Sequence, residues 1–177
     1  GRHGRCCRFD EKDARALGRT ASGVRGINID DDDEVIGMIA YDPTAEDAQA
    51  HSLLVVSEHG YGKRSDFDEY RKTNRGGKGV KTLNITEKTG ELVAMKNVTD
   101  ENDLMIINRS GLTIRMAVAD IKVAGRATQG VRLINIKDGD SIAAISAVNK
   151  TEEDVPQQPV EGAAEDQAPE PQNQINE

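Results

Sequence analysis

The sequence contains few aromatic residues and few cysteines, and these shortages limit the kinds of protein it can encode. Its 177 residues include no Trp, three Tyr and two Phe, which makes a thin core for this length. The two cysteines, Cys6 and Cys7, are neighbours, so on a strand their side chains would point to opposite faces. They therefore predict neither a disulfide framework nor a zinc site of the usual spacing.

Long apolar runs and catalytic groupings are also missing. No stretch approaches the roughly 18 apolar residues of a membrane span, and the first residues form no apolar signal region. The three histidines share no metal-ligand spacing, and no nucleophile–base pair can be recognised. We expect a protein of the reducing cytoplasm with no membrane contact, and no metal, cofactor or catalytic residue in this chain itself.

The net charge of −8 is distributed very unevenly. Residues 151–177 contain eight acidic residues, no Lys or Arg, and four of the five prolines, whereas residues 1–150 carry 23 basic and 23 acidic residues. A segment as acidic and proline-rich as 151–177 cannot bury enough apolar surface to offset the entropy cost of ordering. We expect 151–177 to be a disordered acidic tail and 1–150 to be the folded domain.

A motif that occurs three times organises residues 1–150. Val24–Ile29 returns as Val80–Ile85 and as Val131–Ile136, and each copy follows the pattern Arg-x-x-x-Gly. A period of roughly 50 residues with strand-like content is typical of propeller-type arrays. We place the repeats at about 1–51, 52–102 and 103–150.

Each repeat predicts up to four short antiparallel strands, the content of one propeller blade. Leu53–Val56 and Leu104–Ile107 are apolar runs that predict first strands. A hairpin turn at an aligned glycine (Gly4, Gly60 or Gly111), a second strand ending in a basic residue, and a loop or short helical turn follow. The repeated motif is the third strand. Fourth strands are predicted at Val35–Ile39, Leu92–Met95 and Ile142–Ile145.

The first repeat has a hairpin glycine but no apolar run before it. We therefore expect an all-β, propeller-like chain of about two and a half blades that is a C-terminal piece of a longer protein. An asparagine aligned in all three motifs, at Asn28, Asn84 and Asn135, is interpreted as structural, satisfying backbone groups at a corner of the blade.

Four aligned positions are basic in all three repeats, and we predict that they bind the phosphate backbone of a nucleic acid. In repeat order they are Arg8, Arg64 and Arg115; Arg15, Arg71 and Lys122; Arg19, Arg75 and Arg126; and Arg25, Lys81 and Arg132. Equivalent positions of a repeat would place them along one rim, as a stripe suited to a phosphate backbone. The alternative is solvated surface charge, partly paired with the aligned acids Asp13, Glu69 and Asp120.

Strand alternation raises a difficulty for one of these positions. It would put Arg25 on the same face as the isoleucines of its motif. Arg25 can reach solvent only if it lies at the entrance of the strand or beside a bulge.

The segment Arg75–Gly79 is the sharpest local motif. Gly76, Gly77 and Gly79 would let the backbone approach a phosphate beside Lys78. A Walker loop is excluded because Gly79 follows the lysine where Ser or Thr is required. The alternative is a plain glycine loop between strands.

Three segments carry a resemblance to a known family. They closely resemble sequence motifs in the C-terminal domain of bacterial DNA gyrase A, and they are Leu17–Ile27, Glu58–Arg64 and Gly125–Val131. The resemblance covers residues 4 to about 148, and an acidic tail is also typical of that family. It implies a β-pinwheel of six blades whose basic perimeter wraps DNA, with this chain covering part of the fourth blade and the fifth and sixth.

The resemblance further implies a parent protein, part of an ATP-dependent type II topoisomerase that introduces negative supercoils. Its partners would be double-stranded DNA, the remainder of gyrase A as a dimer, and gyrase B, through which ATP and Mg²⁺ would act. The expected location is the bacterial cytoplasm, at the nucleoid. This piece would contact DNA without catalysing the reaction.

Two departures from the family pattern limit what can be transferred. The family's signature box is Gln-Arg-Arg-Gly-Gly-Lys-Gly in the first blade, whereas here Thr73 and Asn74 precede Arg75–Gly79 in a late blade. The essential role of the box is therefore not assigned to this loop. The strand-passage tyrosine lies in a region of the family that this sequence does not contain.

Two other functions stay open at this point. One is the related C-terminal domain of topoisomerase IV. The other, of a different class, is a protein-interaction propeller whose basic rim binds an acidic partner or the tail of the same chain. Steep salt dependence of binding to plain duplex DNA would argue against the second.

Overall fold

The computed structural model describes residues 1–150, and the predicted disordered tail at 151–177 lies outside them. Apart from four single-turn 3₁₀ helices, the regular structure in this range is all β. The strands are β1 (Arg5–Cys6), β2 (Ser52–Ser57), β3 (Tyr61–Ser65), β4 (Val80–Lys81), β5 (Leu92–Val98), β6 (Asn102–Asn108), β7 (Thr113–Ala117), β8 (Val131–Arg132) and β9 (Ile142–Asn149). The 3₁₀ turns are Glu11–Asp13, Ala48–Ala50, Phe67–Glu69 and Val118–Asp120.

The strands form three antiparallel sheets. Two strands, β1 and β4, make the first sheet; the second has the order β5-β2-β3-β8 and the third the order β7-β6-β9. In the second and third repeats the predicted hairpin is flanked by the predicted fourth strand of the same repeat. The all-β class and the antiparallel arrangement are thereby confirmed, and the second sheet has the four strands of a blade.

The repeated motif, however, pairs with the sheet of the preceding repeat. Strand β8 of the third repeat lies beside β3 of the second, with Tyr61 opposite Arg132 and Gly62 opposite Val131. Strand β4 of the second repeat lies beside β1 of the first in the same relative position. The sheets of the first and second repeats thus each include a strand of the next repeat, which sequence alignment within one repeat could not reveal.

The exchanged strands are only two residues long because the motif then turns away from the sheet. The turn is fixed by backbone hydrogen bonds from Leu133 N–H to Gly60 O, 2.8 Å, and from Thr82 N–H to Gly4 O, 2.8 Å. The remaining apolar residues of the motif, such as Leu83 and Ile134, are buried instead of continuing the ladder.

Two predicted strands of the first repeat do not form. Residues 24–29 and 35–39 are irregular. A strand requires a partner for its backbone groups, and the described residues contain no preceding sheet for the first segment. They also contain no counterpart of β2 beside the second.

Glycine is required where the exchanged strand enters the neighbouring sheet. Gly79 and Gly130 have φ angles of 70° and 76°, a region that other residues rarely occupy. A Cβ at Gly130 would lie 2.4 Å from the carbonyl oxygen of Gly62, and one at Gly79 would lie 2.4 Å from that of Cys6. The hairpin glycines Gly4, Gly60 and Gly111 also have positive φ, as predicted for turns.

The two hydrophobic cores lie between neighbouring repeats. Leu53 and Val55 of β2 pack in a cluster with Phe67 and Tyr70, against residues of the first repeat. The alternate residues Leu54 and Val56 pack against β6 and β9 of the third. Strand β2 is therefore buried on both faces, which explains its uninterrupted apolar sequence.

Substituting Gly130 by Ala should destabilise the fold more than substituting the aligned Gly23. Both positions have positive φ, which costs an alanine about 1–2 kcal/mol. Only Gly130 would add a clash with the neighbouring strand, worth about 1–3 kcal/mol more, because a Cβ at Gly23 meets nothing within 4 Å among the described residues. Urea denaturation of both variants measures the difference. Equal losses would contradict the role of Gly130 in strand exchange.

Candidate nucleic-acid interface

The predicted basic positions separate into side chains that bind a neighbouring repeat and side chains that face solvent. Arg64 is the clearest member of the first group, with a residue exposure of 7 %. Its Nε donates to Ile121 O, 2.9 Å, and its Nη2 to Ala119 O, 3.3 Å, while Nη1 pairs with Asp100. The guanidinium thus holds the 3₁₀ turn of the third repeat.

The aligned Arg8 makes the same kind of contact one repeat earlier. Its Nη1 donates to Phe67 O, 2.7 Å, and Tyr70 O, 3.0 Å, at the 3₁₀ turn of the second repeat. The centre of the Tyr41 ring lies 5.8 Å from the guanidinium carbon. The structure thus gives Arg8 and Arg64 a role in joining consecutive repeats, and their contact with DNA stays a prediction.

Arg115, the third residue of that column, lies on β7 and is more exposed. Its Nε donates to Asp103 Oδ2 across the hairpin, 2.7 Å. Strand β7 lies at an edge of the third sheet, and this contact stays within the third repeat.

A second column contacts the preceding repeat. Arg75 Nε donates to Asp13 O, 3.0 Å, and its Nη1 donates to Arg25 O. One repeat later, Arg126 Nη1 donates to Lys81 O, 2.9 Å. These two arginines therefore join consecutive repeats, and both are only partly exposed.

The remaining members of the basic set face solvent. Arg15, Arg71 and Lys122 occupy one aligned position and are exposed in all three repeats, and Arg19 and Lys78 are exposed as well. Within residues 1–150, no hydrogen bond or ion pair engages the charged groups of these five side chains. They are the cations that an external phosphate can reach at the lowest desolvation cost.

The column Arg25, Lys81 and Arg132 is also exposed. Lys81 and Arg132 end the two-residue strands β4 and β8, and Arg25 lies in the irregular segment 24–29, so strand alternation does not bury this position. Each of these side chains donates to the asparagine three residues later, Asn28, Asn84 or Asn135, over 3.4, 3.2 and 3.2 Å. The sequence carried a signal for this contact, since the spacing from basic residue to Asn is the same in all three copies.

Arg132 has a second polar partner that the sequence did not reveal. Its Nη2 and Nε lie 2.7 and 3.2 Å from the Tyr61 hydroxyl, and its guanidinium carbon is 5.3 Å from the ring centre. The hydrogen bond from Arg132 lowers the pKa of Tyr61. Lys88 approaches the same ring at 5.3 Å, so positive charge is concentrated here.

Strand β8 marks the outer side of the array. Strands β5 and β9 contact each other between the two larger sheets, while β8 is at the opposite edge of its sheet from β5. The exposed Arg132 of β8 therefore lies at the sheet edge away from the contact between β5 and β9, and Lys81 of β4 occupies the aligned position one repeat earlier; we call this side the outer rim.

The loop Arg75–Gly79 is largely engaged with the first repeat. Gly76 N–H donates to Gly26 O, 2.9 Å, and Gly77 O accepts from Asn28 N–H, 2.9 Å. Gly79 is needed for close approach to Cys6. Positive φ at Gly76 and Gly79 and the close approach of Gly79 fit the plain-loop alternative, whereas binding of a phosphate beside the exposed Lys78 stays a prediction.

Lys63 is a buried cation that the sequence patterns did not single out. Its side chain is fully buried, and its Nζ donates to Gly125 O, 2.6 Å, and to Arg126 O. Burial lowers the pKa of Lys63 to about 8. It fixes the loop that precedes β8, and its aligned residues, Cys7 and Ile114, gave no pattern that could have identified it.

Two other kinds of feature are missing from the described residues. In the part of the chain that the structure covers, no group of three or more His, Cys, Asp or Glu could hold a metal ion. No helix among residues 1–150 is long and apolar enough to cross a membrane.

Comparison with known proteins gives a sequence match over most of the chain. The family described as "DNA gyrase C-terminal domain, beta-propeller" matches residues 1–42, 51–99 and 102–149. The DNA gyrase A protein of Staphylococcus epidermidis is 46 % identical over 151 residues, which are 85 % of this chain and 16 % of that protein. The chain thus spans about a sixth of the length of this relative.

Two solved structures share the fold. One is described as the structure of DNA gyrase A C-terminal domain, with a TM-score of 0.72 and 22 % identity, covering 82 % of this chain and 48 % of that one. The other, the C-terminal domain of DNA topoisomerase IV, has a TM-score of 0.72 and 18 % identity, covering 84 % and 45 %. The fold alone does not distinguish these two kinds of domain.

Replacing Arg64 by Ala should destabilise the protein, whereas replacing Arg71 by Ala should not. The first change removes hydrogen bonds to Ile121 O and Ala119 O, and we expect a loss of about 2–4 kcal/mol in the free energy of unfolding. The exposed Arg71 should change it by less than about 0.5 kcal/mol. Urea denaturation measures both values. Similar effects at the two positions would show that Arg64 does not join the repeats.

Lys63 should make stability rise with pH in the alkaline range. Its pKa is about 8 in the folded protein, below the value of 10.5 expected for an unburied lysine. Between these values the unfolded chain binds more protons, so raising the pH favours the folded state. The free energy of unfolding, relative to that of Lys63→Met, should therefore increase from about pH 8 to about pH 10. A difference that stays constant or falls would contradict the lowered pKa.

Proposed function

The chain belongs to the family of DNA gyrase C-terminal domains, and on that premise we propose that its repeats bind duplex DNA along the outer rim. The observation that carries the proposal is the set of exposed cations without a charged partner among the described residues. Arg15, Arg71 and Lys122 recur at one aligned position, and Lys78 and Arg19 extend the set. Internal repetition places like charges at like positions, which is what a regular phosphate backbone requires.

The contacts on this rim are of a kind that does not read sequence. Lys and Arg side chains that neutralise phosphates release counterions and fix the position of the duplex, but they carry no base information. A duplex that contacts the cations of successive repeats must follow the arrangement of those repeats. Preference among sequences would then come from how easily each one bends.

The function of the whole parent protein is a wider proposal. We infer that the parent is the gyrase A component of a type II topoisomerase that uses ATP to introduce negative supercoils. It would act as a dimer with gyrase B, which supplies the ATP and Mg²⁺ chemistry, in the bacterial cytoplasm at the nucleoid. The 46 % identity to a gyrase A protein supports this assignment. In this proposal residues 1–150 contribute DNA contact, and strand passage takes place elsewhere in the parent.

Sequence similarity favours gyrase over topoisomerase IV. The two solved domains share the same TM-score with this chain, so their folds do not separate the alternatives. The family match over three segments and the 46 % identity to a gyrase A protein favour gyrase.

Neutralising the exposed column should reduce the salt dependence of DNA binding. We expect the slope of log K against log salt to be −4 or steeper, roughly, for the full chain between about 50 and 200 mM salt. In the variant with Arg15, Arg71 and Lys122 replaced by Ala, it should become shallower by about 2–3, since each phosphate contact contributes about 0.9. Fluorescence anisotropy of a mixed-sequence duplex measures both slopes.

Lys96 provides the matched control. It is exposed like Lys122 but lies on β5, at the edge of the sheet opposite β8. Lys96→Ala should leave the slope of the full chain unchanged. A flat salt dependence of the folded protein would overturn DNA binding and favour the protein-interaction alternative. An equal loss for Lys96→Ala and Lys122→Ala would mean that net charge, and not the rim, determines binding.

A further inference from the structure

We propose that Asn28, Asn84 and Asn135 are positioning residues that hold the rim cations Arg25, Lys81 and Arg132 in the orientation that meets DNA. The proposal rests on the proposed function and adds to it a second set of residues that never contact a phosphate. We call each basic residue with its asparagine a rim pair.

The geometry of the rim pair occurs three times with different side chains. Arg25 Nη1, Lys81 Nζ and Arg132 Nη1 lie 3.4, 3.2 and 3.2 Å from the Oδ1 atom of the asparagine three residues later. Residues between the two members differ among the copies, as Gly-Ile, Thr-Leu and Leu-Ile. The contact to asparagine forms whether the basic residue is Arg or Lys and whichever residues lie between the two members. It is therefore a property of the motif.

The asparagine leaves the cation free to bind a second acceptor. A lysine ammonium has three N–H donors and an arginine guanidinium five. The rim pair uses one donor of Arg25 and one of Lys81. Because the amide is uncharged, the full positive charge of the cation is kept for a phosphate. An aspartate at the same place would neutralise that charge.

The next repeat fixes both members of a rim pair through their backbone. Asn28 N–H donates to Gly77 O, 2.9 Å, and Arg75 donates to the carbonyl of Arg25. One repeat later the same two contacts join Asn84 to Thr128 O, 3.1 Å, and Arg126 to the carbonyl of Lys81, 2.9 Å. The orientation of each of these cations is therefore linked to the interface between consecutive repeats.

The third rim pair has a different second support. The hydroxyl of Tyr61, on the strand beside β8, accepts from Arg132 Nη2 and Nε at 2.7 and 3.2 Å. The three rim pairs thus share the hydrogen bond to asparagine and differ in the additional contact that supports the cation. The common consequence is that the long side chain is ordered before DNA arrives, which removes part of the entropy cost of binding.

A double-mutant cycle in the full 177-residue chain tests this inference. One variant replaces the three asparagines by Ala, a second replaces Arg25, Lys81 and Arg132 by Ala, and a third combines all six changes. Affinity for a mixed-sequence duplex, the salt slope and the thermal midpoint are measured for each. Asn135→Ala alone, at an exposed side chain, serves as a milder variant if the triple asparagine variant does not fold.

Loss of the asparagines should weaken DNA binding by about threefold per site, without changing the salt slope, because all cations are still present. In the background that lacks the three cations, the same substitutions should have no further effect on affinity. An equal loss in both backgrounds would overturn the inference and assign the asparagines a general structural role. Unchanged affinity in the otherwise wild-type chain would also overturn it.

The cycle also separates this inference from the proposed function. If replacing the three cations leaves both affinity and slope unchanged while the chain still binds DNA, the rim pairs are not part of the interface, and the inference fails alone. If the unsubstituted chain does not bind duplex DNA at all, the proposed function fails as well.

Discussion

The exchange of a two-residue strand between consecutive repeats is the contact on which the rest of this structure depends. Strand β8 completes the sheet of the second repeat, and β4 pairs with β1 of the first. The close approach at its entrance requires glycine, at Gly79 and Gly130, and the motif beyond it turns inward to fill the core. Each repeat is therefore stabilised mainly by its neighbours, as in other arrays of stacked repeats.

The packing of consecutive repeats also divides the basic residues into two groups. Arg64 and Arg126 are directed at the carbonyl groups of an adjacent repeat, where a charged donor makes strong hydrogen bonds. Arg71 and Lys122 stand where no adjacent repeat among the described residues covers them. The same residue types thus either join repeats or face solvent, depending on whether an adjacent repeat covers them. Fewer of the aligned basic residues face solvent than the count of arginines suggests.

The sequence predicted what depends on residues within one repeat. The β class, the strands β2, β6 and β9, and the hairpin glycines Gly60 and Gly111 follow from apolar runs and turn chemistry. The exchange of strands could not be predicted, because the motif pairs with a partner 71 residues away along the chain, as Tyr61 and Arg132 show. The burial of Arg64 was hidden for the same reason. The aligned asparagines were visible, but only the three-dimensional structure showed that their side chains reach the basic column.

Arginine-selective chemical footprinting, read by mass spectrometry with and without duplex DNA, tests the division of the cations most directly. We predict that Arg15 and Arg71 react with phenylglyoxal in the free protein and are protected when DNA is bound. Arg64 should remain unreactive in both states, because its guanidinium is buried and hydrogen-bonded. Reactivity of Arg64 that DNA suppresses, or exposed arginines whose reactivity DNA leaves unchanged, would contradict this division of the basic residues.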